Sequence, residues 1–435
     1  MSLAALVYES SRLWNNALKS PDMVHSESLG SFRRVLDYAW KKTQFYPAYW
    51  KDHGITYNDL KTISPEDIPC ITKEVVRSRF DEIAAVSVTK NDRGAFTSKS
   101  GTVMIHSSGS TGVPAWFLYG KHAITIIEAN FVRLSNLGGN NPVGFKDLPI
   151  RNLHAASVGT DYASTILLRS GLSKYHAVST LLKPSEPLSE WVGTIGESSP
   201  NYLSGYPSCL SLLLDLQKSG HVRLHPLKII VGGEPLKPGL KKELQEVFGS
   251  DIIDYYGCSE SLLVGAGSSW YDGIYLFDDM NYCEIDEQGH LILTPLYNPE
   301  FPLVRYKLDD LVQGFTKDYR GELPFTHIDK VLGRDEDVLW FLNGKGFPDF
   351  LHPLVLDDLN VEVVRGFQIV QIDKHSFRID YTANAVDEGI ERKLKYQMNN
   401  ILKGKGLENL HYEIRFCTNL KVNPRSGKIP LTVKL

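Results

Sequence analysis

Six short stretches of this chain carry residue types and spacings suited to chemistry on a phosphorylated, anionic ligand. Ser107-Ser108-Gly109-Ser110-Thr111-Gly112 sets two glycines among four hydroxyl residues. Backbone N–H groups converge on a phosphate only where the chain can take unusual dihedrals, and Ser or Thr hydroxyls add donors. It is not the GxxxxGK[ST] pattern, because Val113 follows Gly112. Gly232-Gly233-Glu234 offers a tight turn after an apolar run. Tyr255-Tyr256-Gly257-Cys258-Ser259-Glu260 joins rings able to stack on a nucleobase to a carboxylate able to hold Mg²⁺. In RYKLDDL, Asp309 or Asp310 could accept from both hydroxyls of a ribose. GRDED presents Arg334 to a nucleotide and Glu336 and Asp337 as hinge residues, and PRSGKI ends the series with Lys428.

Taken singly, each stretch also has an ordinary reading. Ser/Gly turns are common, Tyr256 could be core, Glu260 surface, Asp309-Asp310 a solvated turn and Lys428 an exposed lysine. Order and setting decide between the two.

The elements expected around these stretches follow from periodicity. TVMIHSS reads as a strand running into the glycine loop, and AITIIEANFVRLSNLGG as a helix ended by Gly138-Gly139. LKIIVGGEPLKPGLKKELQEVFG reads as a buried strand Leu227 to Val231, a glycine turn, and a helix opened by Pro238 and stopped at Gly249. DIIDYYG follows as the next strand. Strand–helix–strand alternation predicts a mainly parallel sheet covered by helices, with ligands at loops leaving the strands' carboxyl ends. SSGSTG and YYGCSE are expected to be two such loops. Upstream, residues 29 to 60 read as helical with a break at Pro47, and Thr72 as the N-cap of a following helix. Beyond GRDED the texture changes: FQIVQIDKHSFRIDYTA predicts a hairpin, DEGIERKLKYQMNNILKG a helix and NLHYEIRFC a strand. The expected fold is α/β, a large domain over 1–334 with a small α+β domain over 335–435.

With 435 residues the chain exceeds what one core supports, about 250–300 residues. A net charge of −4 gives no bulk attraction to nucleic acid or anionic membranes. Cys70, Cys209, Cys258, Cys283 and Cys417 form no CxxC pair, which argues against structural zinc or a disulfide framework and fits a reducing cytoplasm. MSLAALVYESSRLWNN lacks a basic n-region, so no signal peptide is expected, and no apolar run of about 18 residues could span a bilayer.

SSGSTG, GGE, YYGCSE, RY…DDL, GRDED and PRSGK, in that order, resemble the adenylate-forming superfamily of acyl-CoA synthetases, adenylation domains and luciferases. Within it the chain is most similar to the phenylacetate–CoA ligase and CapK-like family, whose opening pattern matches QFYPAYW followed by ISPEDIPCITKEVVR. The resemblance runs from about residue 30 to the end. It implies that Ser107, Ser108, Gly109, Ser110, Thr111 and Gly112 wrap the ATP phosphates. Gly232, Gly233 and Glu234 would line the adenine, with Tyr256 stacked on it, and Glu260 would bind Mg²⁺. Asp310 would hold the ribose, Asp309 replacing a usual small residue; Arg334 would touch ribose or phosphate, and Glu336 would sit at the hinge. Lys428 would bridge the substrate carboxylate and the α-phosphate. Tyr162, Tyr206 and Ser208 fall in the region that shapes the acid pocket and suit an aromatic acid as well as a sheet core.

The implied activity is carboxylate activation by ATP with release of pyrophosphate, then transfer to a thiol, coenzyme A being favoured. An amine or carrier-protein acceptor, and a non-catalytic ligand-binding descendant, stay open. Many relatives are dimers, so a homodimer is compatible. Two departures stand out: Val113 replaces a lysine frequent in the family loop, and the final motif is one residue short.

Overall fold

The computed structural model describes residues 2–90, 96–98, 102–106, 115–137, 142–156, 177–184, 186–233, 236, 238–318, 321–331, 339–351, 356, 359, 361, 364–383, 388–418, 420–421 and 432–434. Its main sheet has eight strands. Five run parallel in the order Ala177–Leu182, Ile150–Ala155, Tyr202–Gly205, Lys228–Gly232 and Asp251–Tyr256. Gly265–Ser268, Tyr271–Leu276 and Thr326–Ile328 extend it antiparallel.

The parallel part forms because helices return the chain between strands. Leu188–Ser198, Pro207–Lys218 and Pro238–Phe248 are the crossovers. Their apolar sides meet Leu153, Leu203, Ile229, Val231 and Ile252 in one core through Trp191, Leu210, Leu213 and Leu244. The alternate residues Tyr202, Ile230 and Ile253 enter a second core on the other face, shared with helix Lys121–Leu134. A strand buried on both faces reads as an unbroken apolar run, which is why KIIVG was legible. Pro238 opens its helix and Gly249, at φ +65°, closes it, as expected.

Three expectations shift. The helical stretch breaks at Thr43 and not at Pro47: Pro21–Lys42 ends there, and Pro47 sits in the first turn of Phe45–Asp52, where its missing N–H would have no partner anyway. Thr72 takes the N-cap position of Lys73–Ser78 but its side chain accepts no capping bond. The strand before the glycine loop, Val103–His106, does not belong to the parallel sheet. It pairs antiparallel with Trp116–Tyr119, His106 facing Trp116, so the loop does fall between two strands, but those of a separate two-stranded ribbon and not at the carboxyl edge of the parallel sheet.

Asn281–Ile285, His290–Pro295, Tyr306–Gln313 and Lys330–Val331 form a four-stranded antiparallel sheet. Ile71 clips the N-terminal region to it, its N–H donating to Arg305 O and its carbonyl accepting from Lys307 N. Arg133 ties the N-terminal helix Leu3–Asn16 to the body: fully buried, it donates to Leu13 O, pairs with Asp279 at 2.8 Å and lies over the Phe277 ring.

Toward the C-terminus, Val364–Gln371 and Ser376–Ala383 make the expected hairpin, helix Glu388–Lys405 follows, and His411–Phe416 and Thr432–Lys434 flank the hairpin in parallel. A second hairpin, Leu339–Leu342 with Pro348–Leu351, delivers Phe350 to the core containing Trp191. Buried Lys405 pairs with Asp349, donates to Glu186 O and covers the Phe350 ring at 4.0 Å. Among the described residues no helix is long and apolar enough to cross a membrane.

Candidate active site

The parallel strands of the main sheet end together at Gly205, Gly232 and Tyr256. Past Tyr256 the chain makes the turn Gly257–Ser261, and three neighbours fix its shape. Tyr119 OH donates to Ser259 O at 2.6 Å, Ser259 Oγ donates to His106 O at 3.2 Å, and Ser261 Oγ donates to Asn281 Oδ1 at 2.6 Å. Asn281 in turn donates to Leu263 O. The carbonyl that Ser259 grips belongs to the residue just before Ser107. The root of the glycine loop and the YYGCSE turn are therefore in direct contact.

Strand Tyr306–Gln313 supplies the third wall. Tyr256 OH donates to Asp310 Oδ2 at 2.8 Å, and Tyr306 OH donates to Glu260 Oε1 at 2.9 Å. Asp310 and Tyr256 are half-buried, whereas Glu260 and Tyr306 are buried. Asp309, the alternate residue on the strand, points outward and is exposed, so the two aspartates are separated by the period of two. Burial, then the Asp310 carboxylate, pushes the Tyr256 phenol well above its ordinary range. Burial, then Glu260, does the same to Tyr306. Both hydroxyls are fixed as donors. Burial, followed by Glu260 and Asp310, also holds Cys258 as a neutral thiol, which marks the turn as a region of negative potential.

Gly232 and Gly233 are required by close packing. A Cβ on Gly232 would stand 2.4 Å from the Tyr255 ring; on Gly233, at φ +85°, it would stand 2.6 Å from the Tyr206 ring. Tyr206 is buried, and its N–H donates to Ala155 O at the end of the neighbouring strand. The glycine turn thus lets two tyrosine rings close on the sheet's carboxyl edge. Ser208 is the second residue of helix Pro207–Lys218, which Tyr206 precedes.

The structure therefore brings together Gly232, Gly233, Tyr206, Tyr256, Glu260 and Asp310. Ser107 to Gly112, Val113, Tyr162, Glu234, Arg334, Glu336 and Lys428 lie outside the described residues. Two partners escaped the sequence. Tyr306 stood within RYKLDDL, read only for its aspartates, although a tyrosine four residues before Asp310 must share its face of a strand. Asn281 gave no signal, because its partner Ser261 is 20 residues away across a sheet.

The AMP-binding enzyme model matches residues 63–290, more than half of the chain. The chain is 25% identical over 343 residues to a phenylacetate-coenzyme A ligase of Escherichia coli (strain K12), covering 73% of this chain and 72% of that protein. It is 21% identical to the protein CapK of Staphylococcus aureus, over 91% of this chain and 86% of CapK. A solved 2-hydroxyisobutyryl-CoA ligase holding 2-HIB-AMP and CoA has the same fold, with a TM-score of 0.60 at 17% identity over 96% of this chain and 91% of that one. The matched segment contains the glycine loop, the paired-glycine turn and the Tyr256–Glu260 turn assembled above, and the chain belongs to the AMP-binding enzyme family.

Proposed function

We propose that the protein activates a carboxylic acid with ATP, forming an acyl-adenylate and pyrophosphate, and then passes the acyl group to the thiol of coenzyme A. The observation that carries this reading is the bond from Ser259 to the His106 carbonyl, which joins the origin of the glycine loop to the Glu260 turn beside Asp310. A phosphate cradle, a carboxylate for a cation and a carboxylate for a ribose need that adjacency to handle one nucleotide.

In this reading Ser107 to Gly112 hold the β- and γ-phosphates. Gly232, Gly233 and Glu234 line the adenine, with Tyr256 beside it. Asp310, oriented by Tyr256, accepts from the ribose hydroxyls, and Arg334 adds a contact. Glu260, held by Tyr306, provides a carboxylate for Mg²⁺. The residues fit that ion: it is held through one or two carboxylates while phosphates and water complete its shell, and among the described residues no cluster of three or more candidate ligands competes for it. When bound, Mg²⁺ neutralises polyphosphate charge.

Two anions must meet for a carboxylate to attack the α-phosphate, so the protein's own contribution is positioning and charge neutralisation. Lys428, on a lid formed by residues 335–435 and swung about Glu336, supplies the remaining cation. An aromatic acid is the favoured substrate, with Tyr162, Tyr206 and Ser208 lining its pocket. The similarity to phenylacetate-coenzyme A ligases agrees with both the acid and the acceptor.

The test is pyrophosphate release from ATP–Mg²⁺ with aryl, arylacetic and short aliphatic acids, each with and without coenzyme A. Acid-dependent release with thioester formed only when coenzyme A is present supports the reading. Intact ATP binding with no acyl-adenylate from any acid overturns it. Hydroxylamine traps the acyl-adenylate whatever the acceptor, whereas enzyme-dependent amide formation with lysine in place of coenzyme A reports an amine acceptor.

A further inference from the structure

At the opposite edge of the main sheet, where the parallel strands begin, an open cavity of about 520 Å³ is lined by Arg151, His221, Arg223 and His225 over an apolar floor containing Ile195 and Val222. No Asp or Glu among the described residues lines it, and none of the four basic side chains is in an ion pair with a described carboxylate. In a chain of net charge −4, such a one-signed concavity stands apart from the rest of the surface.

Its construction is specific. The segment His221-Val222-Arg223-Leu224-His225-Pro226 alternates exposed and buried, so Val222 and Leu224 enter the core while His221, Arg223 and His225 share one side. Gln217 clamps the segment, accepting from Leu224 N at 2.8 Å and donating to Leu224 O. Arg151 is anchored by its Nε, which donates to Ser199 O at 2.6 Å, so the guanidinium's outer edge keeps further N–H donors. Ser199, in the left-handed region at φ 43°, ends helix Leu188–Ser198 and turns that carbonyl toward Arg151. One anchored guanidinium, a second exposed one and two exposed imidazoles around a concave floor make a basic receptor for an anion.

We propose that this cavity is a second ligand site, taking a small molecule with two phosphate groups, distinct from the candidate active site. Guanidinium forks grip phosphate oxygens bidentately, and imidazole N–H groups add donors to a polyanion. The volume lies within the ordinary range for small-molecule sites, roughly 300–1,000 Å³. Arg151 precedes Ala155 by four residues, so the site lies roughly 13 Å back along the strand from the Tyr206 and Gly233 edge. The inference stands on these residues alone and does not depend on the activity proposed above.

Calorimetric titration of the full chain tests it, with a non-hydrolysable ATP analogue at saturation to fill both the nucleoside and the polyphosphate parts of the proposed active site, and AMP titrated separately as a control. The probes are inorganic pyrophosphate and adenosine 3′,5′-bisphosphate, each against the wild type and R223Q/H225Q. Both substituted residues are exposed, and unchanged thermal unfolding verifies the fold. The expected result is at least a tenfold loss of affinity for the preferred probe in the variant, with AMP affinity unchanged. Preference for pyrophosphate identifies a free diphosphate, and preference for the bisphosphate a nucleotide, as the source. Equal binding of both probes by the two proteins overturns the site, leaving a solvated basic surface. Loss of AMP binding in the wild type alone would count against the proposed function and leave this comparison readable.

Discussion

Tyr256 and Asp310 meet across 54 residues of chain, the phenol donating to Oδ2 at 2.8 Å where the last parallel strand and the antiparallel strand Tyr306–Gln313 converge. A carboxylate so held cannot rotate freely, so under the proposed function one tyrosine would both flank the base and aim the carboxylate assigned to the ribose. A bond to a charged acceptor contributes about 1.5–3 kcal/mol, and only part of it reaches a ligand bound through that acceptor. Tyr256→Phe is expected to weaken ATP roughly tenfold, seen as a raised KM with kcat little changed, while Asp310→Asn weakens it further. Unaltered ATP affinity in both variants would remove the pair from the nucleotide site.

Tyr306 and Glu260 make the second such pair. Without the hydroxyl, a buried carboxylate loses a donor and is freer to turn away from a cation. Tyr306→Phe should raise the Mg²⁺ concentration giving half-maximal pyrophosphate release several-fold, with the ATP concentration dependence at saturating Mg²⁺ nearly unchanged. A variant with wild-type Mg²⁺ dependence would assign Tyr306 to packing alone.

Gly233 carries two constraints at once, a φ of +85° and a ring within 2.6 Å of where a Cβ would stand. Gly233→Ala must displace Tyr206 or distort the turn, at roughly 1–3 kcal/mol. The expected signature is a loss in acid and ATP affinity exceeding the loss in unfolding free energy, since the turn lies at the sheet's edge. Gly239→Ala, where a Cβ meets open space inside helix Pro238–Phe248, is the matched control and should leave both affinities unchanged while costing no stability.

Arg133 is a stability determinant far from that edge. Its guanidinium is wholly buried against Asp279, Leu13 O and two aromatic rings. Arg133→Met leaves Asp279 buried, with the Asn16 amide still donating to it. Breaking a buried pair from one side costs about 3–5 kcal/mol, and replacing both charges restores much of it. Chemical denaturation should therefore rank wild type above R133M, with R133M/D279N recovering part of the difference. Equal midpoints for wild type and R133M would show that the helix Leu3–Asn16 needs no such anchor.

The parallel part of the fold was legible because its strands are buried on both faces and its helices are bounded by residues with one job. Pro238 and Gly249 bracket a helix that no other segmentation explains. The glycine loop misled because a short apolar strand looks alike whether its neighbour lies parallel or antiparallel; His106 facing Trp116 is a long-range choice that local pattern does not encode. Glu260 and Asp310 were legible as residues but not as members of pairs, since Tyr306 and Tyr256 reach them through tertiary packing. HVRLHP carries no motif that marks it in the sequence, and only the cavity gives its exposed side a meaning.

Two titratable groups of the main sheet, on strands separated by two others, should give stability opposite pH slopes. Asp254 lies on Asp251–Tyr256, and burial raises its carboxyl to about 7 against the lowering field of Lys241. The folded chain then binds the proton that the unfolded chain has released between about pH 4 and 7, so stability falls as pH rises through that window. Above it the cost is constant, up to about 4 kcal/mol by the usual linkage. His154, on Ile150–Ala155, is driven the other way: burial lowers it to about 4. Ser204 Oγ donates to Asn152 Oδ1 and so accepts from His154 Nδ1–H, leaving a neutral ring with Nε2 buried. Here the unfolded chain binds the proton first as pH falls from about 6.5 to 4, so His154 removes roughly 3 kcal/mol across that range. Urea midpoints from pH 4 to 9 separate the two. Asp254→Asn should gain stability above pH 7 and match the wild type near pH 4, whereas His154→Asn should lose its acid-side slope and diverge least from the wild type near pH 4. Profiles parallel to the wild type in both variants would mean that neither group titrates with folding, and that the sheet's polar interior is solvated more than its burial implies.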